Sequence, residues 1–139
     1  MSGVSAEPLF DVLIEPRWAD QDSLGHINHV SYFSYLEEAR VRWLRSEAMA
    51  AVGGFRLVIA AIGLNYRREW RHGKALRARA WVSRLGNSSF SLRQALYSED
   101  GEQLVAEGEA TLVHVDAEHR SQAIAGAARD ILQRALLLS

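Results

Sequence analysis

From Arg17 to Arg40 the chain reads RWADQDSLGHINHVSYFSYLEEAR, with two aspartates, two histidines, an asparagine and a glycine gathered just ahead of a run with helical spacing. A carboxylate placed there can attack an electrophilic carbon or take a proton from water. The first N–H groups of a helix lack intrahelical partners and favour negative charge. An acidic side chain a few residues before a helix start therefore puts a base next to donors for an oxyanion. The same residue types also build a plain loop with a helix cap. Asp22, His26 and His29 stand four and three apart, a ligand spacing if the segment were one helix. Gly25 and its turn-forming neighbours break any such helix and no further ligand lies close by, so no metal site is expected.

The flanking elements must hold this junction. Leu9–Trp18 carries branched and aromatic residues suited to a strand, with Pro16 near its end. From about Val30, residues Tyr32, Tyr35, Leu36, Ala39, Trp43 and Leu44 fall at steps of three and four, the apolar stripe of a helix that ends by Ala48–Gly54. Glu37 and Glu38 fit a solvated face or ion pairs with Arg40 or Arg42. Four strand-like segments follow. Phe55–Trp70 reads as one buried central strand. Leu76–Leu85 alternates, Phe90–Leu96 leads to the turn Glu99-Asp100-Gly101, and a long strand then runs past a small row, Ala106, Gly108 and Ala110, that invites a closely packed helix. The tail AGAARDILQRALLLS reads as a short C-terminal helix. The pattern is α+β, an antiparallel sheet with a long helix on one face. One helix covers such a sheet only in part, so a partner subunit is expected.

With 139 residues, one domain spanning 1–139 is expected. A net charge of −1 gives no long-range attraction to nucleic acid or to an anionic membrane. The absence of cysteine removes disulfides, thiolate nucleophiles and Cys-bound zinc. Neither a signal peptide nor a membrane span is apparent, and a cytoplasmic location is the default expectation.

The motif W-x-D-x-D-x-x-G-H-[IV]-N-x-x-x-Y, followed by Y-L-E-E-A-R, resembles the 4-hydroxybenzoyl-CoA thioesterase family of the hotdog fold. The match runs from Arg17 to about Leu44 and continues more loosely through NYRREWRHGKALRARAWV. The resemblance implies a five-stranded antiparallel sheet wrapped around the long helix. It also implies subunits joined through their sheets, as a homodimer or homotetramer, with acyl-CoA sites between them and no cofactor. Asp22 matches the family's catalytic carboxylate, as nucleophile or general base. His29, where many relatives have asparagine, is expected beside the thioester. Asn28 is expected to fix the loop or contact the acyl group, and Tyr32 to belong to the core with its hydroxyl near the substrate. His26 and Asp20 are expected to hold the turn. Arg67, Arg68, Arg71 and Lys74 cluster with His72 at a strand turn, where guanidinium groups suit the phosphates of CoA. Glu69 stands where relatives often carry proline. Two alternatives stay open: an acyl-thioester dehydratase or hydratase, whose GHFPxxP signature is absent, and a non-catalytic acyl-CoA-binding protein.

Overall fold

The computed structural model describes residues 6–138. Residues 1–5, read above as part of an N-terminus without a leader, and Ser139 in the tail lie outside the described residues. In order the elements are β1 (Phe10–Ile14), α1 (His29–Leu44), α2 (Glu47–Ala50), β2 (Arg56–Ile62), β3 (Asn65–Tyr66), β4 (Leu76–Leu85), β5 (Ser89–Ser98), β6 (Leu104–Val115) and α3 (Gly126–Arg134). A single turn of 3-10 helix, Trp18–Asp20, precedes α1. All strand pairs are antiparallel, in the order β1-β4-β5-β6-β2, and β3 also pairs with β6.

The helical stripe predicts the core correctly. Tyr32, Tyr35, Leu36, Ala39 and Trp43 are buried on α1, facing a sheet surface of Leu76, Ala78, Ala80, Val82, Phe90, Leu92, Leu96, Ala106, Ala110 and Leu112. The small residues of β4 and β6 leave room for the rings of α1, which is close packing by complementary size. α1 stops at Leu44, and Ser46 starts the separate short α2 by accepting from the N–H of Met49. After α3 the chain returns to β4, where Leu137 donates to Val82 at 2.8 Å and Val82 to Ala135 at 3.0 Å.

Four expectations need correction. The sheet has six strands rather than five, because Phe55–Trp70 is broken into β2 and β3. β2 is an edge strand rather than a buried central one, with Val58, Ile59 and Ile62 exposed by 39%, 45% and 36%. An unbroken apolar run signals burial on both faces, and sequence cannot say whether the cover comes from the same chain. The small row of β6 does not admit a helix at Gly108. A Cβ there would stand 1.9 Å from the carbonyl oxygen of Gly63, so it is the backbone of the β2–β3 connection that crosses at contact distance. Finally, Glu38 pairs with Arg42 as expected, but Arg40 is buried and donates to Gln94 Oε1 at 2.9 Å. Burial pushes the Arg40 pKa down, against the opposing attraction of Glu37.

Candidate active site

The loop between β1 and α1 is anchored by Asp20. Its buried carboxylate accepts from Arg17 N–H at 3.1 Å, Arg17 Nη2 at 2.8 Å and the Tyr35 hydroxyl at 2.6 Å. Burial alone would raise the pKa, but the donors from Arg17 and Tyr35 outweigh it and hold the carboxyl below the usual range. The Asp20 carbonyl also accepts from Asn28 N–H at 2.8 Å, which ties the loop to the start of α1. Asn28 caps that helix, its Oδ1 accepting from Val30 N–H at 2.9 Å.

Between these anchors Asp22 heads a tight turn. Its N–H donates to the His26 carbonyl at 2.8 Å, and its carbonyl accepts from Gly25 N–H at 3.1 Å. Gly25 has φ of 79°, a left-handed conformation that glycine adopts without strain. One Asp22 oxygen, Oδ1, accepts from the N–H groups of His26 at 3.2 Å and Leu24 at 2.9 Å. These backbone donors, His26 before Leu24, lower the pKa of this exposed carboxylate and keep it ionised. Oδ2 receives no hydrogen bond from any described residue.

The same accounting applies to the helix start. Val30 N–H is taken by Asn28 Oδ1 and Ser31 N–H donates to the Asn28 carbonyl at 3.0 Å. His29 N–H has no partner among the described residues. The amide cluster expected here thus narrows to one free donor, since capping consumes its neighbour. The His29 ring lies against Tyr66, centroids 4.7 Å apart, and the Tyr66 hydroxyl donates to the His29 carbonyl at 3.1 Å. Tyr66 also meets Tyr32 at 5.4 Å between centroids. Asp22, His29, Tyr32 and Tyr66 line one cavity of about 400 Å³ together with Arg67, Arg68 and Glu69.

An adjoining cavity of about 510 Å³ brings together Arg67, Arg68, Arg71 and Lys74 around Trp70. These four residues do not share one electrostatic state. Arg67 is paired with Glu107 at 3.0 Å, Arg71 Nη2 meets His26 Nε2 at 3.2 Å, and the Lys74 ammonium lies 6.0 Å from the centre of the Trp70 ring. Among the described residues Arg68 has no acidic partner. The segment is tied to the junction by Ile27 N–H donating to the Trp70 carbonyl at 2.7 Å. His26 holds the turn through its backbone, as expected, while its ring faces Glu69 at 3.3 Å and Arg71. His72, expected in the basic cluster, contacts Gln21 at 3.0 Å. Sequence reasoning missed Tyr66 as part of the site. Its residue type was visible in the NYRREW stretch, but the strand break that turns it toward His29 was not.

A profile of the thioesterase-like superfamily matches residues 16–135. Among solved structures, a candidate thioesterase from Pseudomonas aeruginosa is 32% identical with a TM-score of 0.80, covering 89% of this chain and 98% of that one. A candidate acyl-CoA thioesterase from Xanthomonas campestris is 35% identical with a TM-score of 0.72, covering 84% of this chain and 100% of its own. A thioesterase from Thermus thermophilus, solved with coenzyme A and zinc, is 26% identical with a TM-score of 0.75 over 96% of this chain and 95% of that one. A search of curated proteins by sequence found no match.

Proposed function

This chain belongs to the thioesterase-like superfamily, and on that premise we propose that it hydrolyses an acyl-CoA thioester to a carboxylic acid and CoA. The observation that carries the reading is the pairing of an ionised carboxylate oxygen left free, Asp22 Oδ2, with an unpaired helix-start amide, His29 N–H, on residues that line one cavity. The motif around Asp22 supports the 4-hydroxybenzoyl-CoA group within the superfamily.

Two routes use the same geometry. As general base, Asp22 takes a proton from water while the water oxygen bonds to the thioester carbon. As nucleophile, Asp22 bonds to that carbon itself, and water then cleaves the resulting anhydride. In either route the carbonyl oxygen gains charge that His29 N–H accommodates, and its collapse breaks the C–S bond and expels the CoA thiolate. The contact of the His29 ring with Tyr66 supports a role for that ring beside the thioester, polarising its carbonyl or handling the proton taken from water. The GHFPxxP signature of the dehydratases is absent from the sequence, which favours hydrolysis over a histidine–carboxylate proton shuttle.

Arg68, Arg71 and Lys74 offer the adjoining cavity to the CoA phosphates, with Arg67 already shared with Glu107. The CoA complex of the Thermus relative supports a CoA ester as the ligand class. The open β2 edge, with Val58, Ile59 and Ile62 exposed, supports a homodimer, alone or paired into a homotetramer. No helix among the described residues is long and apolar enough to cross a membrane. A thiol-release assay over short, long and aromatic acyl-CoAs tests the reading. Release of CoA by the wild type and its loss in Asp22→Asn are expected; undiminished release in that variant overturns the role of Asp22.

A further inference from the structure

The face of the sheet turned away from α1 carries a separate cavity. Along β4 the residues Leu76, Ala78, Ala80 and Val82 belong to the core under α1, so strand alternation sends Arg77, Arg79 and Trp81 to the opposite side. Register extends that side across the sheet: Arg79 stands opposite Ala95 on β5, and Ala95 opposite Glu107 on β6. Arg93 and Tyr97 flank Ala95 along its own strand, two residues away on either side. A methyl group ringed by long side chains leaves a hollow. It measures about 430 Å³, within the range of about 300–1,000 Å³ typical of small-molecule sites. The Trp81 and Tyr97 rings, with Leu104 and Leu137, give it an apolar lining. None of these residues lines the cavity of Asp22 and His29.

Two guanidinium groups border this apolar surface with donors to spare. Arg79 gives its Nε–H to Asp11 at 3.1 Å, and its terminal nitrogens make no hydrogen bond among the described residues. Asp11 also serves Arg77, at 2.7 Å, so one carboxylate answers two cations. The half-exposed Arg93 comes no nearer than 3.9 Å to Glu109, outside hydrogen-bond reach. Glu107, the acidic residue of the lining, is paired with Arg67 at 3.0 Å, so positive charge is left in excess. Burial raises the Tyr97 pKa, and the neutral phenol takes no charge from Arg79, which lies 5.4 Å from its ring centre. Arg93 pairs in register with Trp81, which makes Arg79 and Arg93 diagonal neighbours on one hollow. We propose that this cavity binds a small carboxylic acid with an apolar body, its carboxylate held by Arg79 and Arg93 and its body lying over Ala95 against the Trp81 and Tyr97 rings. Guanidinium forks match a carboxylate. An uncharged ligand would leave these donors unanswered, and an inorganic anion would leave the rings uncovered.

The experiment is calorimetric titration with octanoate and 2-naphthoate, each against its uncharged counterpart, 1-octanol and 2-naphthol. At least one acid is expected to bind saturably and about tenfold or more tighter than its alcohol, the scale of a charge-assisted hydrogen bond. Which acid binds separates the aliphatic from the aromatic source. Arg93→Gln, on a half-exposed side chain, is expected to weaken binding by about tenfold. Ala95→Leu fills the hollow without changing charge and is expected to abolish it. CoA release is expected to be unchanged in both variants. No saturable binding of either acid overturns the inference, as does an alcohol that binds as tightly as its acid. Wild-type affinity in either variant overturns it too, since the acid then sits elsewhere, the catalytic cavity included. If Ala95→Leu changes the size of the assembly in sedimentation while no acid binds, a second copy covers this face and the inference falls. Binding is read without turnover, so its failure leaves the thioesterase reading intact.

Discussion

Asp20 is buried and accepts from Arg17 and Tyr35, whereas Asp22, two residues on, stands exposed with one oxygen held by backbone N–H groups and the other free. Both carboxylates are held below their usual pKa, for different reasons. At Asp20 side-chain donors overcome the penalty of burial, and every contact strengthens the link between loop, helix and chain entry. At Asp22 the donors come from the turn itself, which keeps the charge in place without using up the whole group. A saturated carboxylate is a fastener, and a half-saturated one remains a reagent. The D-x-D spacing puts the two on one short turn so that the first fixes the geometry of the second.

Substitutions that interchange the two roles would break this contrast. The largest expected effect is on activity: Asp22→Asn should lower kcat by about 10²–10⁴-fold, the span of general-base catalysis, with its melting temperature close to the wild type. Asp20→Asn should do the reverse in kind, costing about 2–3 kcal/mol of stability by leaving a buried charged network incomplete, as read from chemical denaturation. Tyr35→Phe removes one donor to that network and should cost about 1.5 kcal/mol. It should also blunt the acid sensitivity of the fold. The pKa of Asp20 in the native state lies below the unfolded value of about 3.9. Its contribution is therefore complete above that pH and is lost as pH falls through the native pKa. A denaturation series from neutral to acidic pH would show a shallower decline in Tyr35→Phe than in the wild type. If the decline is as steep in the variant, Asp20 is not the group that couples folding to acid. The smallest expected effect is that of Asn28→Ala, about 1 kcal/mol from the lost cap. Because the substitution also frees Val30 N–H, the activity of this variant measures how far one free amide suffices at the helix start.

Much of this arrangement can be read along the chain. The three–four spacing from Tyr32 to Trp43 identifies the buried face of α1, and the alternation in Leu76–Leu85 identifies which side of β4 faces it. Motif spacing places Asp22 in the turn before the helix and names the relevant superfamily. Local pattern suffices for these features because their causes are local: helical period, strand alternation, turn chemistry and capping act over a few residues.

Other features had no local cause. The split of Phe55–Trp70 into β2 and β3 follows from Gly63 meeting Gly108, residues 45 apart in sequence, across a sheet register that no short window contains. Arg40 lies on a helix surface that reads as solvated, and it is buried because Gln94 of β5 sits opposite it. Tyr66 joins the site for the same reason, since β3 pairing with β6 is what brings its ring to His29. Sequence by itself determined which residues are able to do chemistry and which faces turn inward. Tertiary structure decided which donors remain free, because a hydrogen-bonding group is used up or spared only by the partners that distant segments bring to it.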